Sequence, residues 1–233
     1  MAKLIVIEGI DGAGKQTQAQ LLVEALRLAG ATKVRALSFP CYDKPCSALV
    51  KYYLDGGFGE DPMKVNAYAA SACYALDRFG SFVNDWKKDY DDPDTIIVAD
   101  RYVTSNAIYQ AAKFDQLPMA ESFMSWLDAF EYGHLGLPRP DMVLFLDTQT
   151  EVTERLIAHR ENKFTHDEKK DIHECSSAFM GRANQLARTL ATEQHWTTIQ
   201  CCKDGQMRTR EDIGLEIAGK VWEFLRGKDV SEQ

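Results

Sequence analysis

Leu4-Ile5-Val6-Ile7-Glu8-Gly9-Ile10-Asp11-Gly12-Ala13-Gly14-Lys15 decides how this chain folds. Residues 4–7 are all apolar, the pattern of a strand buried on both faces. A glycine-rich turn follows. From Lys15 to about residue 29, Leu21, Leu22, Ala25 and Leu26 recur at helical spacing, and Gly30 supplies the stop. Strand, glycine turn, lysine, helix is the order in which a phosphate-binding loop is built. Glycines let backbone N–H groups converge on phosphate oxygens, and the helix N-terminus adds partial positive charge. Lys15 then stands where an ammonium can bridge the β- and γ-phosphates of a nucleotide. The expected cradle is Gly9, Asp11, Gly12, Ala13, Gly14, Lys15, Gln16 and Thr17.

Working outward, short apolar runs alternate with longer helical patterns. Strands are expected at about 34–39, 95–99, 142–146 and 197–201, and helices at about 46–54, 62–87, 103–113, 118–132 and 211–226. Within 118–132, Met119, Phe123, Trp126, Leu127 and Phe130 form an apolar stripe, with Gly133 expected to cap it. Thr148-x-x-Glu151 has the form of a capping box that opens one more helix. Five strands alternating with helices predict an α/β fold, a five-stranded parallel sheet with helices on both faces. No repeat or linker divides the chain, so residues 1–233 are expected to form one domain, with a frayed tail at 227–233.

Composition narrows the function classes. The 233 residues carry a formal net charge of −8, which argues against a coat for nucleic acid or an anionic membrane. No apolar stretch approaches the length of a spanning helix, and Glu8 interrupts any signal-peptide core, so a cytoplasmic protein is expected. The six cysteines form no C-x-x-C pair and are read as thiols, mostly filling the core. His159, His166 and His173 fall in a basic segment and are not read as a metal site.

Phosphate loops serve switches, motors and kinases alike. A guanine-reading Asn-Lys-x-Asp is missing: Asn162-Lys163 runs into Phe164-Thr165, which excludes that type of switch. One departure concerns Mg²⁺. The loop lysine is ordinarily followed by a Ser or Thr whose hydroxyl ligates the ion, but Gln16 stands there and Thr17 comes next. Gln16 or Thr17 takes that place, or the ion relies on water and a carboxylate such as Asp100.

Further motifs lie in a telling order: Phe39-Pro40, Tyr74-Ala75-Leu76-Asp77-Arg78, Asp100-Arg101-Tyr102-Val103-Thr104-Ser105-Asn106, and Pro140-Asp141 before a strand. With residues 7–15 they resemble the thymidylate kinase family of nucleoside monophosphate kinases, over about residues 3–225. The resemblance implies a P-loop kinase that moves the γ-phosphoryl of MgATP onto dTMP in dTTP synthesis, and a homodimer packed through helices. It implies that Asp11 meets the sugar 3′-hydroxyl and that Arg101 holds the acceptor's phosphate in its planar fork. Tyr74 takes the place of the ring, usually Phe, that stacks on the base. Arg78 is implied to donate to the base O4, and Asn106 and Ser105 to read N3 and the same edge. Tyr109 matches the residue that crowds the sugar 2′ position, and Phe39, Pro40 and Tyr42 line the acceptor site.

In this family the catalytic arginine sits in the phosphate loop or in a lid. The loop here has no arginine, which directs attention to a basic lid at about 155–172. Arg155 and Arg160 are the leading candidates there, followed by Lys163.

Overall fold

β1 (Lys3–Glu8) runs through the centre of the molecule, and Leu4, Ile5, Val6 and Ile7 are wholly buried, as a strand covered on both faces must be. The computed structural model describes residues 1–157 and 177–227. Four more strands lie parallel in the same sheet: β2 (Val34–Ser38), β3 (Ile96–Asp100), β4 (Met142–Asp147) and β5 (Thr197–Gln200), in the order β2-β3-β1-β4-β5. Ile7 pairs with Asp100 on one side and Leu144 on the other, so β1 and β3 end at nearly one level while β4 runs on beside the turn to Asp147. The residues just beyond those ends, from Gly9 and from Arg101, therefore meet. In open parallel sheets this edge is where ligands bind.

The connecting helices are α1 (Lys15–Leu28), α2 (Ala48–Leu54), α3 (Ala67–Ser81), α4 (Lys87–Asp91), α5 (Val103–Ala111), α6 (Leu117–Asp128), α7 (Thr150–Ile157) and α8 (Ser177–Glu193). After β5 come a two-stranded hairpin, β6 (Cys202–Lys203) and β7 (Gln206–Met207), and α9 (Arg210–Gly227). The chain steps one way across the sheet from β1 to β2 and the other way thereafter. Right-handed crossovers then place α1 on one face and the helices between β2 and β5 on the other. The packing agrees: α1 lies on α9, while α5 lies against α3, α6 and α8. This is an α/β fold, a five-stranded parallel sheet flanked by helices.

Several boundaries differ from expectation, each for a local reason. The helix expected from 62 begins at Ala67, because Asn66 caps it by accepting the N–H of Ala69 at 3.0 Å. It then continues past 87, through a π-helical turn (Phe82–Trp86) into α4. Gly133 does not cap α6; it lies inside a second π-helical turn, Ala129–His134, and the left-handed residue is Gly136 at φ +66°. Thr148 caps nothing, since α7 starts at Thr150 with the Gln149 carbonyl accepting from Val152 and Thr153. The helix α8 was not anticipated: much of its buried face is alanine (Ala183, Ala187, Ala191), which gives only a faint apolar period. Cys73 and Cys201 are buried thiols, whereas Cys41, Cys46 and Cys202 are half-buried; Cys175 and the three histidines of the basic segment lie outside the described residues.

Phe123, fully buried, ties α6 to the core, with ring centroids 5.3 Å from Tyr68 and 5.4 Å from Phe114. Phe123→Ala is expected to lower the unfolding free energy by about 3–5 kcal/mol, read from urea titration.

Candidate active site

The loop after β1 is shaped by close approach. A Cβ on Gly9 would stand 3.0 Å from the Leu146 carbonyl oxygen, so β4 presses directly on the turn. Gly14 adopts φ +89° and delivers the chain into α1. Lys15 folds back, and its Nζ donates to the Ile10 carbonyl at 2.8 Å. Burial, and then the positive charge of Arg101, lower its pKa to about 7 against the pull of Asp11, Asp100 and Glu8. Gln16 and Thr17 are exposed on the first turn of α1.

Arg101 follows β3 with φ +68°, a left-handed backbone that costs a side-chain-bearing residue about 1–3 kcal/mol. That turn brings its guanidinium back over the loop, where Nη2 donates to Asp11 and Nη1 reaches Ser105 Oγ at 3.4 Å. The guanidinium also lies 5.5 Å from the centroid of Tyr109, whose hydroxyl donates to Asp11 Oδ2 at 3.0 Å. Burial opposes the charge on Arg101, yet Asp11 holds its pKa well above the ordinary value. Burial, and then the Asp11 carboxylate, push the Tyr109 phenol upward. Arg101 thus pairs with Asp11 and not with its neighbour Asp100. Asp100 accepts from Ser38 Oγ at 3.3 Å through Oδ2, and its buried Oδ1 has no hydrogen-bond partner.

A second group gathers around α3 and α5. Arg78, almost wholly buried, donates through Nε and Nη2 to Glu131 at 2.7 and 2.6 Å. Asn106 Nδ2 donates to the same carboxylate at 2.9 Å and to the Ser71 carbonyl at 3.2 Å. Tyr42 and Tyr74 are half-buried against one small apolar cluster that includes Val50, Tyr53 and Val65. The Phe39 ring is buried between Trp86 and Tyr102, and half-buried Pro40 follows it.

Asp11, Arg101, Ser105 and Tyr109 therefore form one connected set, and Arg78 and Asn106 another. Ser105, expected beside the base-reading residues, belongs to the first set: its hydroxyl donates to Glu8 at 2.8 Å. Arg155 is exposed on α7 and donates to the Glu151 carbonyl at 3.1 Å, while Arg160 and Lys163 lie outside the described residues.

Two acids were not singled out from the sequence. Glu8 is fully buried and accepts from Thr104 Oγ1 at 2.7 Å and from the Gly9 N–H at 3.0 Å, holding the loop to α5. Its signal is an acid that closes an apolar strand. Glu131 is also fully buried; it falls four residues after Leu127 and eight after Phe123, on the apolar stripe where an acid is out of place.

The sequence pattern of the family described as thymidylate kinase matches residues 7–204, spanning the phosphate loop, both groups and β5. The chain belongs to the thymidylate kinase family. It is 36% identical to the thymidylate kinase of Mycobacterium tuberculosis over 152 residues, which cover 64% of this chain and 67% of that relative. It is 34% identical to the thymidylate kinase of Homo sapiens over 146 residues, covering 63% and 61%. With the putative thymidylate kinase of Aeropyrum pernix the identity is 27%, over 96% of this chain and 97% of the other. The thymidylate kinase fold therefore accounts for the sheet order and for the loop after β1. No helix among the described residues is long and apolar enough to cross a membrane.

The family uses ATP, and the lowered pKa of Lys15 makes nucleotide binding a proton-linked event. At pH 8 free Lys15 is mostly neutral, and triphosphate anions beside it favour the ammonium. ATP binding at pH 8 is expected to take up close to one proton, falling away towards pH 6, where the free enzyme already carries it. Calorimetry in buffers of different ionisation enthalpy measures this uptake. It should vanish in Lys15→Met.

Proposed function

We propose that this protein transfers the γ-phosphoryl group of MgATP to dTMP, giving dTDP and ADP. The carrying observation is that Asp11 belongs to the phosphate loop and also pairs with Arg101 and Tyr109, so donor and acceptor sites share a wall. Phosphoryl transfer asks for positioning and charge stabilisation. The loop N–H groups and Lys15 take the β- and γ-phosphates. The acceptor's phosphate is held by the guanidinium donors of Arg101 that Asp11 leaves over, and one of its oxygens attacks the γ-phosphorus as the bond to ADP breaks. No covalent enzyme intermediate is needed. Asp11 orients the 3′-hydroxyl, Tyr109 crowds the 2′ position, Tyr74 stacks on the base, and Arg78 and Asn106 read its edge.

Mg²⁺ would neutralise the phosphate oxygens when bound. The orphaned buried Oδ1 of Asp100 suits that shell. Such an ion would be held by this one carboxylate together with water and substrate phosphates. Exposed Gln16 or Thr17 could complete it. Residues 1–233 serve as one kinase domain, with a lid at about 155–172 that closes to exclude water and brings Arg155, Arg160 or Lys163 to the migrating group. The protein is read as cytoplasmic and as a homodimer. The latter is supported by exposed Leu49 on α2 and Leu76 on α3, and is tested by sedimentation at low micromolar concentration.

ADP release with MgATP and a panel of acceptors tests the assignment. Strong turnover with dTMP is expected, and dUMP, lacking one methyl, should lose about 10–200-fold in kcat/KM. The amino group of dCMP meets Arg78 donor to donor, and its loss should be on the order of 10⁴. Equal use of dCMP and dTMP overturns the base reading. Lys15→Ala should abolish transfer. Asp100→Asn should raise the Mg²⁺ concentration for half-maximal rate about 10–100-fold, and a normal Mg²⁺ titration removes Asp100 from the metal shell.

A further inference from the structure

We propose that Glu131 is a positioning residue that sets base specificity, fixing the plane of the Arg78 guanidinium and leaving Asn106 as an acceptor toward the acceptor nucleotide. This rests on the reading of Arg78 and Asn106 as the residues that face the base.

Glu131 is wholly buried, and its carboxylate gathers three N–H donors: Nε and Nη2 of Arg78 and Nδ2 of Asn106. It reaches them from the π-helical turn Ala129–His134, a local widening of the helix of the kind that recurs at functional sites. The bidentate pair locks the plane of the Arg78 guanidinium. Two of its five N–H groups point at Glu131, and Nη1 lies 3.4 Å from the Tyr102 carbonyl. The N–H groups left over are donors, held in a fixed plane by the carboxylate.

For Asn106 the consequence is sharper. Its Nδ2 carries two hydrogens, and both are spoken for, by Glu131 Oε1 and by the Ser71 carbonyl. A flipped amide would set Oδ1 against two acceptors. Glu131 therefore leaves Oδ1 as the only group this side chain can turn to a ligand, and it can only accept. A thymine edge offers an acceptor at O4 and a donor at N3, matching Arg78 and Asn106 respectively. Cytosine inverts both, with an amino donor at C4 and an acceptor at N3. A glutamine at 131 would weaken the constraint, because its NH₂ can donate to a flipped Asn106, leaving only the Ser71 carbonyl opposed to the flip, and it no longer neutralises Arg78.

The test is the ratio of kcat/KM for dTMP to that for dCMP, at saturating MgATP, in the wild type and in Glu131→Gln, Glu131→Asp, Arg78→Met and Asn106→Ala. Both substrates are read on the same folded fraction, so a role confined to stability leaves the ratio where it was. Glu131→Gln is expected to narrow it by about 10–100-fold, the range of a buried polar group left mispaired. Glu131→Asp keeps the charge but withdraws it by one methylene; it should narrow the ratio as well, and serves if the glutamine variant fails to fold. An unchanged ratio in the Glu131 variants, with a narrowed one in Arg78→Met or Asn106→Ala, overturns the inference. An unchanged ratio in all four removes the base reading, and the inference with it.

Discussion

A buried cation must keep a carboxylate beside it or lose its charge, and among the described residues buried Lys15 and Arg78 and the partly buried Arg101 organise the site. Arg101 keeps Asp11, and Arg78 keeps Glu131. Lys15 has no such close partner; it donates to a backbone carbonyl, and burial brings its pKa to about 7. The difference is chemically sensible. Breaking a buried pair leaves an uncompensated charge and costs about 3–5 kcal/mol, so Arg78 with Glu131 is a fixed part of the scaffold. Lys15 is buried against the loop, and anionic partners beside it favour its charged form.

The sheet makes this arrangement possible. Parallel pairing of Ile7 with Asp100 brings the ends of β1 and β3 level, and Arg101 donates its backbone N–H to the Ile7 carbonyl at 3.1 Å. The left-handed turn at Arg101 then sends the side chain back across the loop instead of onward into α5. Strain at one residue is offset by the ion pair that it permits.

Much of this was legible in the sequence, and what was not has a physical reason. β1, the loop and α1 declare themselves because apolar run, glycines and helical period all point the same way. Arg78, Asp100 and Arg101 stand out through their motifs. The pairing of Arg101 with Asp11 joins residues 90 apart, and no local pattern encodes it. The helix α8 is hidden because alanines bury little apolar surface each. Ser105 was expected on the base edge; on a helix its neighbour Asn106 points about 100° away, and the two hydroxyl and amide groups serve different sets.

That last point carries a consequence. Thr104, Ser105, Asn106 and Tyr109 lie on the single short helix α5, with the first two bound to Glu8, Asn106 bound to Glu131, and Tyr109 bound to Asp11. One short helix thus touches the phosphate loop and the Arg78–Asn106–Glu131 group at once. If Arg78 and Asn106 face the base as proposed, a change at that pair is transmitted through α5 to Glu8 and Asp11. Under that reading, one helix links base recognition to the phosphate loop, so a wrong base would be expected to slow transfer as well as weaken binding.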